Sequence, residues 1–147
     1  MAVIIRHAGI VVRNIDKALE FYSGILGLPV SARKVEVGQF IDELVGISNV
    51  KLEWAKLSDG NGIILELLQY HSQADISDHQ NYPSNRHGAS HVAFTVENLD
   101  TLYKKLIETG LHCNSAPLRS SDGKVKVLYC HDPDGVAVEL VEELISK

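Results

Sequence analysis

His7-Ala8-Gly9-Ile10-Val11-Val12-Arg13-Asn14-Ile15-Asp16 returns in the second half of the chain as His91-Val92-Ala93-Phe94-Thr95-Val96-Glu97-Asn98-Leu99-Asp100. Further on, Ile63-Ile64-Leu65-Glu66-Leu67-Leu68 is echoed by Val136-Ala137-Val138-Glu139-Leu140-Val141. With a period of about half the chain and only two copies, the repeat is too long and too sparse for a solenoid or propeller. It predicts a pseudo-twofold pair of small sheets, with equivalent residues of the two halves directed at one cleft.

Working outward from the first copy, Val3 to Val12 is a β-branched apolar run that reads as a buried strand. Asn14 or Asp16 can accept a hydrogen bond from the free amides that open a helix. Apolar residues then recur at Ile15, Ala18, Leu19, Tyr22, Ile25 and Leu26, a helical stripe that Gly27 and Pro29 end. Strands follow over 29–37, 50–57 and 63–70, the last two joined by the turn Ser58-Asp59-Gly60-Asn61-Gly62. The second copy predicts a strand over 90–96 and a helix on Leu99, Leu102, Tyr103, Leu106 and Ile107, ended by Gly110. Strands near 112–114, over 124–130 and over 136–142 complete it, with a turn at His131-Asp132-Pro133-Asp134-Gly135. The connecting stretch from His71 to Ala89 is polar and carries three histidines, as a linker loop at a site's rim would.

Composition excludes several classes. The 147 residues are 45% hydrophobic and 22% charged, enough to bury a core and too ordinary for extensive disorder. Fourteen basic against nineteen acidic residues give a net charge of −5 without a basic run, which argues against nucleic acid. Arg6 and His7 interrupt the apolar opening well short of a membrane span or signal peptide. Two cysteines, Cys113 and Cys130, form neither a metal-type spacing nor a disulfide framework, so a reducing cytoplasm is the expected location.

The repeat also carries chemistry. An ionised glutamate among aliphatic residues costs several kcal/mol (~) unless it is paired or metal-bound. Glu66 and Glu139 both break an apolar strand, at the same point of the repeat, and each has a histidine on the first strand of its own copy. Two imidazoles and two carboxylates suit one divalent ion of Zn, Ni, Co, Mn or Fe, and the lack of thiolates argues against a structural zinc knot. His7, Glu66, His91 and Glu139 are therefore the candidate metal ligands. His71, His79, His87, Arg86, Arg119 and Lys124 read as surface residues, and Trp54, Phe94 and Tyr129 as core.

Four stretches closely resemble the vicinal oxygen chelate superfamily, which includes glyoxalase I, methylmalonyl-CoA epimerase, extradiol dioxygenases and fosfomycin or bleomycin resistance proteins. They are His7 to Val12, Ala18 to Leu28, His91 to Val96 and Asp132 to Glu142. The resemblance spans almost the whole chain. It implies an α+β fold of two tandem βαβββ modules forming a curved mixed sheet around a metal cleft. The expected layout is one domain over 1–147, with module one at 3–72, a linker at 73–88 and module two at 89–145. The resemblance assigns the same four ligands: His7, Glu66, His91 and Glu139.

Where bacterial glyoxalase I enzymes hold glutathione with an arginine and an asparagine, this chain has Val11 and Tyr70. The opening His7 to Val12 is nearer to methylmalonyl-CoA epimerases, whose inner-strand glutamate transfers protons; Glu53 is the corresponding candidate if the hairpin register turns it toward the metal. The implied activity is a divalent-metal-dependent isomerase, epimerase or lyase that moves a proton beside a carbonyl. Glu139 or Glu66 would be the base, with Glu53 as the epimerase-type alternative. A ring-cleaving extradiol-type dioxygenase and a non-enzymatic small-molecule-sequestering protein are the competing readings. The expected partners are a small-molecule substrate and a second copy in a homodimer, with no nucleic acid and no membrane.

Overall fold

The structure is a computed structural model that describes residues 3–77 and 81–144. The chain divides into two compact units, Met1–Asp78 and His79–Lys147. Unit 1 contains β1 (Ala8–Val11), α1 (Ile15–Leu19), β2 (Val30–Val37), α2 (Gln39–Val45), β3 (Lys51–Ser58) and β4 (Ile63–Tyr70). Unit 2 contains β5 (His91–Thr95), α3 (Leu99–Glu108), β6 (Leu118–Arg119), β7 (Val125–His131) and β8 (Ala137–Glu143). Each unit builds a four-stranded mixed sheet, in the orders β1-β4-β3-β2 and β5-β8-β7-β6. The pairs β1–β4 and β5–β8 are parallel, and the remaining neighbours are antiparallel. The fold class is α+β, with the same module used twice.

Side chains alternate across a strand, so each sheet has two faces with different duties. One face of sheet 1 carries Ile10, Ala55, Leu57, Leu65 and Leu67, all buried, and α1 crosses β3 and β4. Burying such side chains is worth about 1.5–3 kcal/mol each. The corresponding face of sheet 2 carries Leu128, Cys130, Val138 and Leu140, with α3 against β8. Burial pushes the Cys130 thiol up to about 12, so it behaves as an inert core residue.

The two helices are anchored from the sheets below them in the same way. The backbone N–H of Ile15 donates to Gln69 Oε1 at 2.7 Å, and that of Leu99 donates to Glu142 Oε2 at 3.1 Å. Gln69 and Glu142 occupy equivalent places, each three residues beyond the glutamate of its copy. Asn14 additionally caps α1, accepting from the Lys17 N–H at 3.0 Å. Asn98 is the analogous residue of α3, yet it has a left-handed φ of 53° and makes no side-chain cap.

Several sequence expectations need correction. The first strand starts at Ala8, not Val3, and Val3, Ile4 and Ile5 are 84–92% exposed. Register explains this: Ala8 lies against Leu65, so Ile5 would fall level with Gly62, before β4 begins. The first helix is α-helical only to Leu19 and continues as a π-helix over Glu20–Ile25. Its wider turn closes through Leu26 N–H to Phe21 O at 2.9 Å and brings Phe21 and Tyr22 inside together.

The helix α2 was not anticipated at all. The strand expected near 112–114 is only an isolated bridge between Cys113 and Cys130, and β6 forms instead at Leu118–Arg119. Other expectations agree with the structure. Asp59 Oδ1 accepts from Asn61 and Gly62 N–H in the first hairpin, and Asp132 Oδ1 accepts from Asp134 and Val136 N–H in the second. His79 lies outside the described residues, and no helix among the described residues is long and apolar enough to cross a membrane.

Candidate metal centre

In unit 1, Glu66 on β4 pairs in register with Gly9 on the parallel strand β1, and His7 stands two residues ahead of Gly9. In unit 2, Glu139 on β8 pairs with Ala93 on the parallel strand β5, and His91 stands two residues ahead of Ala93. The offset is the same, and in both units it sets imidazole and carboxylate on one face, opposite the helix-covered core. His91 Nε2 lies 3.0 Å from Glu139 Oε2, and His7 Nε2 lies 3.9 Å from Glu66 Oε2. All four side chains are largely covered, 16–29% exposed. Within either unit, no third His, Cys, Asp or Glu among the described residues joins the pair to complete a metal site. Each unit thus sets one imidazole and one carboxylate together.

His91 has polar neighbours at both ring nitrogens: the Ser90 hydroxyl lies 3.0 Å from Nδ1 and 3.3 Å from Ser84 O, and Glu139 Oε2 lies 3.0 Å from Nε2. Either a proton or a metal cation bridges a nitrogen and a carboxylate oxygen at that separation. Donors held ~2.1 Å from one divalent ion lie about 3.0 Å apart when they subtend about a right angle, so the pair fits a metal edge. The Ser90 contact is the kind of outer hydrogen bond that orients a ligating histidine.

A different residue lies directly across the strand from each glutamate. Opposite Glu139 is Tyr129, whose hydroxyl approaches both His91 ring nitrogens at 3.3–3.4 Å. Burial first, and then the negative charge of Glu139, raise the Tyr129 pKa, so its O–H stays protonated at neutral pH. Opposite Glu66 is Lys56, whose Nζ lies 3.9 Å from Glu66 Oε2 and 4.6 Å from the centre of the Trp54 ring. Trp54 and Tyr129 are therefore not core residues, as expected from sequence, but belong to the same faces as the glutamates. Alternation along β3 and β7, once the strand register is known, is the signal that would have found them. Phe94, in register with buried Leu140, does lie on the core-side face.

Glu53 is the candidate that the structure does not bring to the others. Lys56 pairs with Glu66 and Glu53 pairs with Gln69, an odd number of residues away, so Glu53 points to the opposite face of sheet 1. There its carboxylate binds Arg33 Nε at 2.6 Å and His71 Nε2 at 2.7 Å, and Arg33 also reaches Asp16 at the start of α1. Burial pushes the Glu53 pKa up, but the His71 and Arg33 hydrogen bonds outweigh it and hold the group below its ordinary value. Glu53 ties the sheet to the first helix. His71, read as a surface residue, is part of that network. Arg86 stacks 4.2 Å over the Tyr82 ring.

The positions where glutathione-binding residues would be sought are apolar. Val11 is 57% exposed, and Tyr70 packs against the cluster Ile41, Val50 and Leu52 beneath α2.

Comparison with known proteins agrees with this geometry. The family model described as the Glyoxalase/Bleomycin resistance protein/Dioxygenase superfamily matches residues 4–140. The chain is 27% identical to the uncharacterised protein YraH of Bacillus subtilis, over 92% of this chain and 94% of that protein. It is 26% identical to a probable lactoylglutathione lyase of Synechocystis sp., over 96% of both. Among solved structures, a glyoxalase family protein from Bacillus cereus matches with a TM-score of 0.88 at 25% identity, covering 99% of this chain and 97% of that one. On its sequence and its fold, the chain belongs to the Glyoxalase/Bleomycin resistance protein/Dioxygenase superfamily.

Proposed function

We propose that this chain is a divalent-metal-dependent isomerase, epimerase or lyase that transfers a proton beside a carbonyl group of a small-molecule substrate. The observation that carries the reading is the histidine–glutamate pair made twice at one register offset, with His91 Nε2 and Glu139 Oε2 3.0 Å apart in unit 2. His7, Glu66, His91 and Glu139 would hold one ion of Zn, Ni, Co, Mn or Fe, the two modules acting as a single functional domain over 1–147. When bound, such an ion polarises the substrate carbonyl and makes the adjacent C–H more acidic.

The chain's own residues then handle the proton. Glu139, 25% exposed, can reach a substrate hydrogen and is the proposed base. Tyr129, protonated and facing His91, donates a hydrogen bond to a substrate oxygen and helps hold it in place. Returning the proton to a neighbouring carbon gives isomerisation, and returning it to the opposite face gives epimerisation. With Glu53 engaged by Arg33 and His71, the epimerase-type base has no support from geometry, and the role rests on Glu139.

The test is exchange of substrate C–H in deuterium oxide, followed by NMR over a panel of carbonyl compounds, with metal-depleted protein reloaded with each of the five metals. Exchange with at least one metal is expected, and Glu139→Gln should lower it about 10²–10⁴-fold. Oxygen uptake with catechols, or stoichiometric ligand capture without any exchange, would overturn the reading.

A further inference from the structure

The ligand side of sheet 1 grades from apolar to charged. Along β4 the residues on that face are Tyr70, Leu68 and Glu66, and along β3 they are Leu52, Trp54 and Lys56. At the apolar end α2 covers the sheet, with Ile41 packed against Leu52 and Val50. The helix lies between Gly38 and Gly46, both at positive φ (105° and 72°), which lets the chain turn down onto the face and back out of it. Between α2 and the β3–β4 hairpin remains a cavity of about 250 Å³. Ile41, Val45, Leu52, Trp54 and Leu68 make its apolar wall, and Glu66 and Lys56 lie at its polar end.

The charges there are unequal. Glu36, also on the lining, is met by Lys34 at 3.1 Å. The Lys56 ammonium lies 3.9 Å from Glu66, beyond hydrogen-bonding distance, and carries three donors. A ligand that matches this space is small, has one compact apolar end, and has an anionic group at the other. The volume is below the ~300 Å³ at which drug-sized pockets begin, which suits an amino-acid-sized side group and not a tripeptide.

We infer that this cavity takes the branched aliphatic or aryl side group of a free 2-oxo acid, with Lys56 holding the carboxylate beside Glu66. The inference rests on the proton-transfer reading for the oxo group alone; the side group and the carboxylate are assigned from the cavity and from Lys56. Trp54, the only tryptophan of the chain, stands in the cavity wall and reports occupancy directly.

The experiment is a fluorescence titration of the full chain with 4-methyl-2-oxopentanoate, pyruvate and glutathione, once in EDTA and once with zinc. The branched acid should give a saturable change, pyruvate should bind at least about tenfold more weakly for want of the side group, and glutathione should give none. Lys56→Met should weaken the branched acid about tenfold or more while Lys56→Arg restores binding, and Val45→Phe should block it.

Equal binding of pyruvate and the branched acid would overturn the assignment, as would binding of glutathione or no saturable change in either condition. The ligand series on the unsubstituted protein decides this even if a variant fails to fold. Selective binding without deuterium exchange defeats the proton-transfer reading and leaves the cavity assignment standing; exchange on substrates with no preference for the side group does the reverse.

Discussion

Unit 1 and unit 2 hold a histidine and a glutamate at the same register offset, but they surround that pair differently. Across the strand from Glu66 is a lysine, and across from Glu139 a tyrosine. On the helix-covered faces the contrast is one of charge. Glu53 pairs with Gln69 in unit 1, where unit 2 has Lys126 paired with Glu142. Accordingly Glu53 binds Arg33 and His71, with Arg33 reaching Asp16, while Lys126 binds Asp100 and Glu142. Both networks do one job, tying the first helix of the module to the sheet, with opposite signs at the centre. Among the described residues, unit 1 adds a helix over the face that carries Glu66, where β2 runs eight residues and leads into α2; β6 in unit 2 has two residues. The histidine–glutamate pair and the helix anchor recur in both units, whereas the residues across the strand from each glutamate differ.

Substitutions at matched positions can break or sharpen this comparison. The largest effect is expected on the donor pairs: Glu139→Gln should cost about 10²–10⁴-fold in turnover. Tyr129→Phe should cost less, because it removes one neutral hydrogen bond and leaves the donors intact. Next come the cores. Leu67→Ala and Leu140→Ala, each one residue past its glutamate and fully buried, should each lose about 2–5 kcal/mol in urea unfolding. A large difference between them would show that the two sheets do not share stability equally.

The anchors are smaller. Glu53→Gln should cost about 2 kcal/mol of stability while leaving metal affinity unchanged. Glu53 binds its proton less readily in the native state than its ordinary value of 4.5 implies. Its contribution is therefore complete above about that pH and is lost as pH falls through the lower native value, so the variant should show a flatter acid limb. If Glu53→Gln instead abolishes activity with stability intact, the face assignment is wrong. Smallest of all, Asn14→Ala should cost about 1 kcal/mol, whereas Asn98→Gly, with no cap to lose and a positive φ to relieve, should change stability by about 0.5 kcal/mol or less.

Much of this was legible from the repeat. The first, third and fourth strands of each unit, the two helix starts and both hairpin turns follow from apolar periodicity and turn chemistry, and the matching of each histidine with its own glutamate follows from the repeat. What periodicity cannot supply is register across strands. Glu53, Trp54 and Tyr129 all sit in apolar-looking strands, and only the pairing of Lys56 with Glu66 and of Tyr129 with Glu139 settles their faces. The run Phe40-Ile41-Asp42-Glu43-Leu44-Val45 between two glycines had the apolar spacing of a short helix, but seven residues are too few for periodicity to stand out. Val3 to Ile5 look like strand residues and lack only a neighbour, which no local pattern reveals.

The central proposal is that His7, Glu66, His91 and Glu139 hold one divalent ion. Metal content by mass spectrometry, paired with a zinc-binding titration, tests it directly on the wild-type chain and on His7→Ala, Glu66→Ala, His91→Ala and Glu139→Ala. The account predicts one divalent ion per chain, and a loss of affinity of at least about tenfold in every one of the four variants. Two ions per chain, or variants in one unit that leave the affinity untouched, would contradict it.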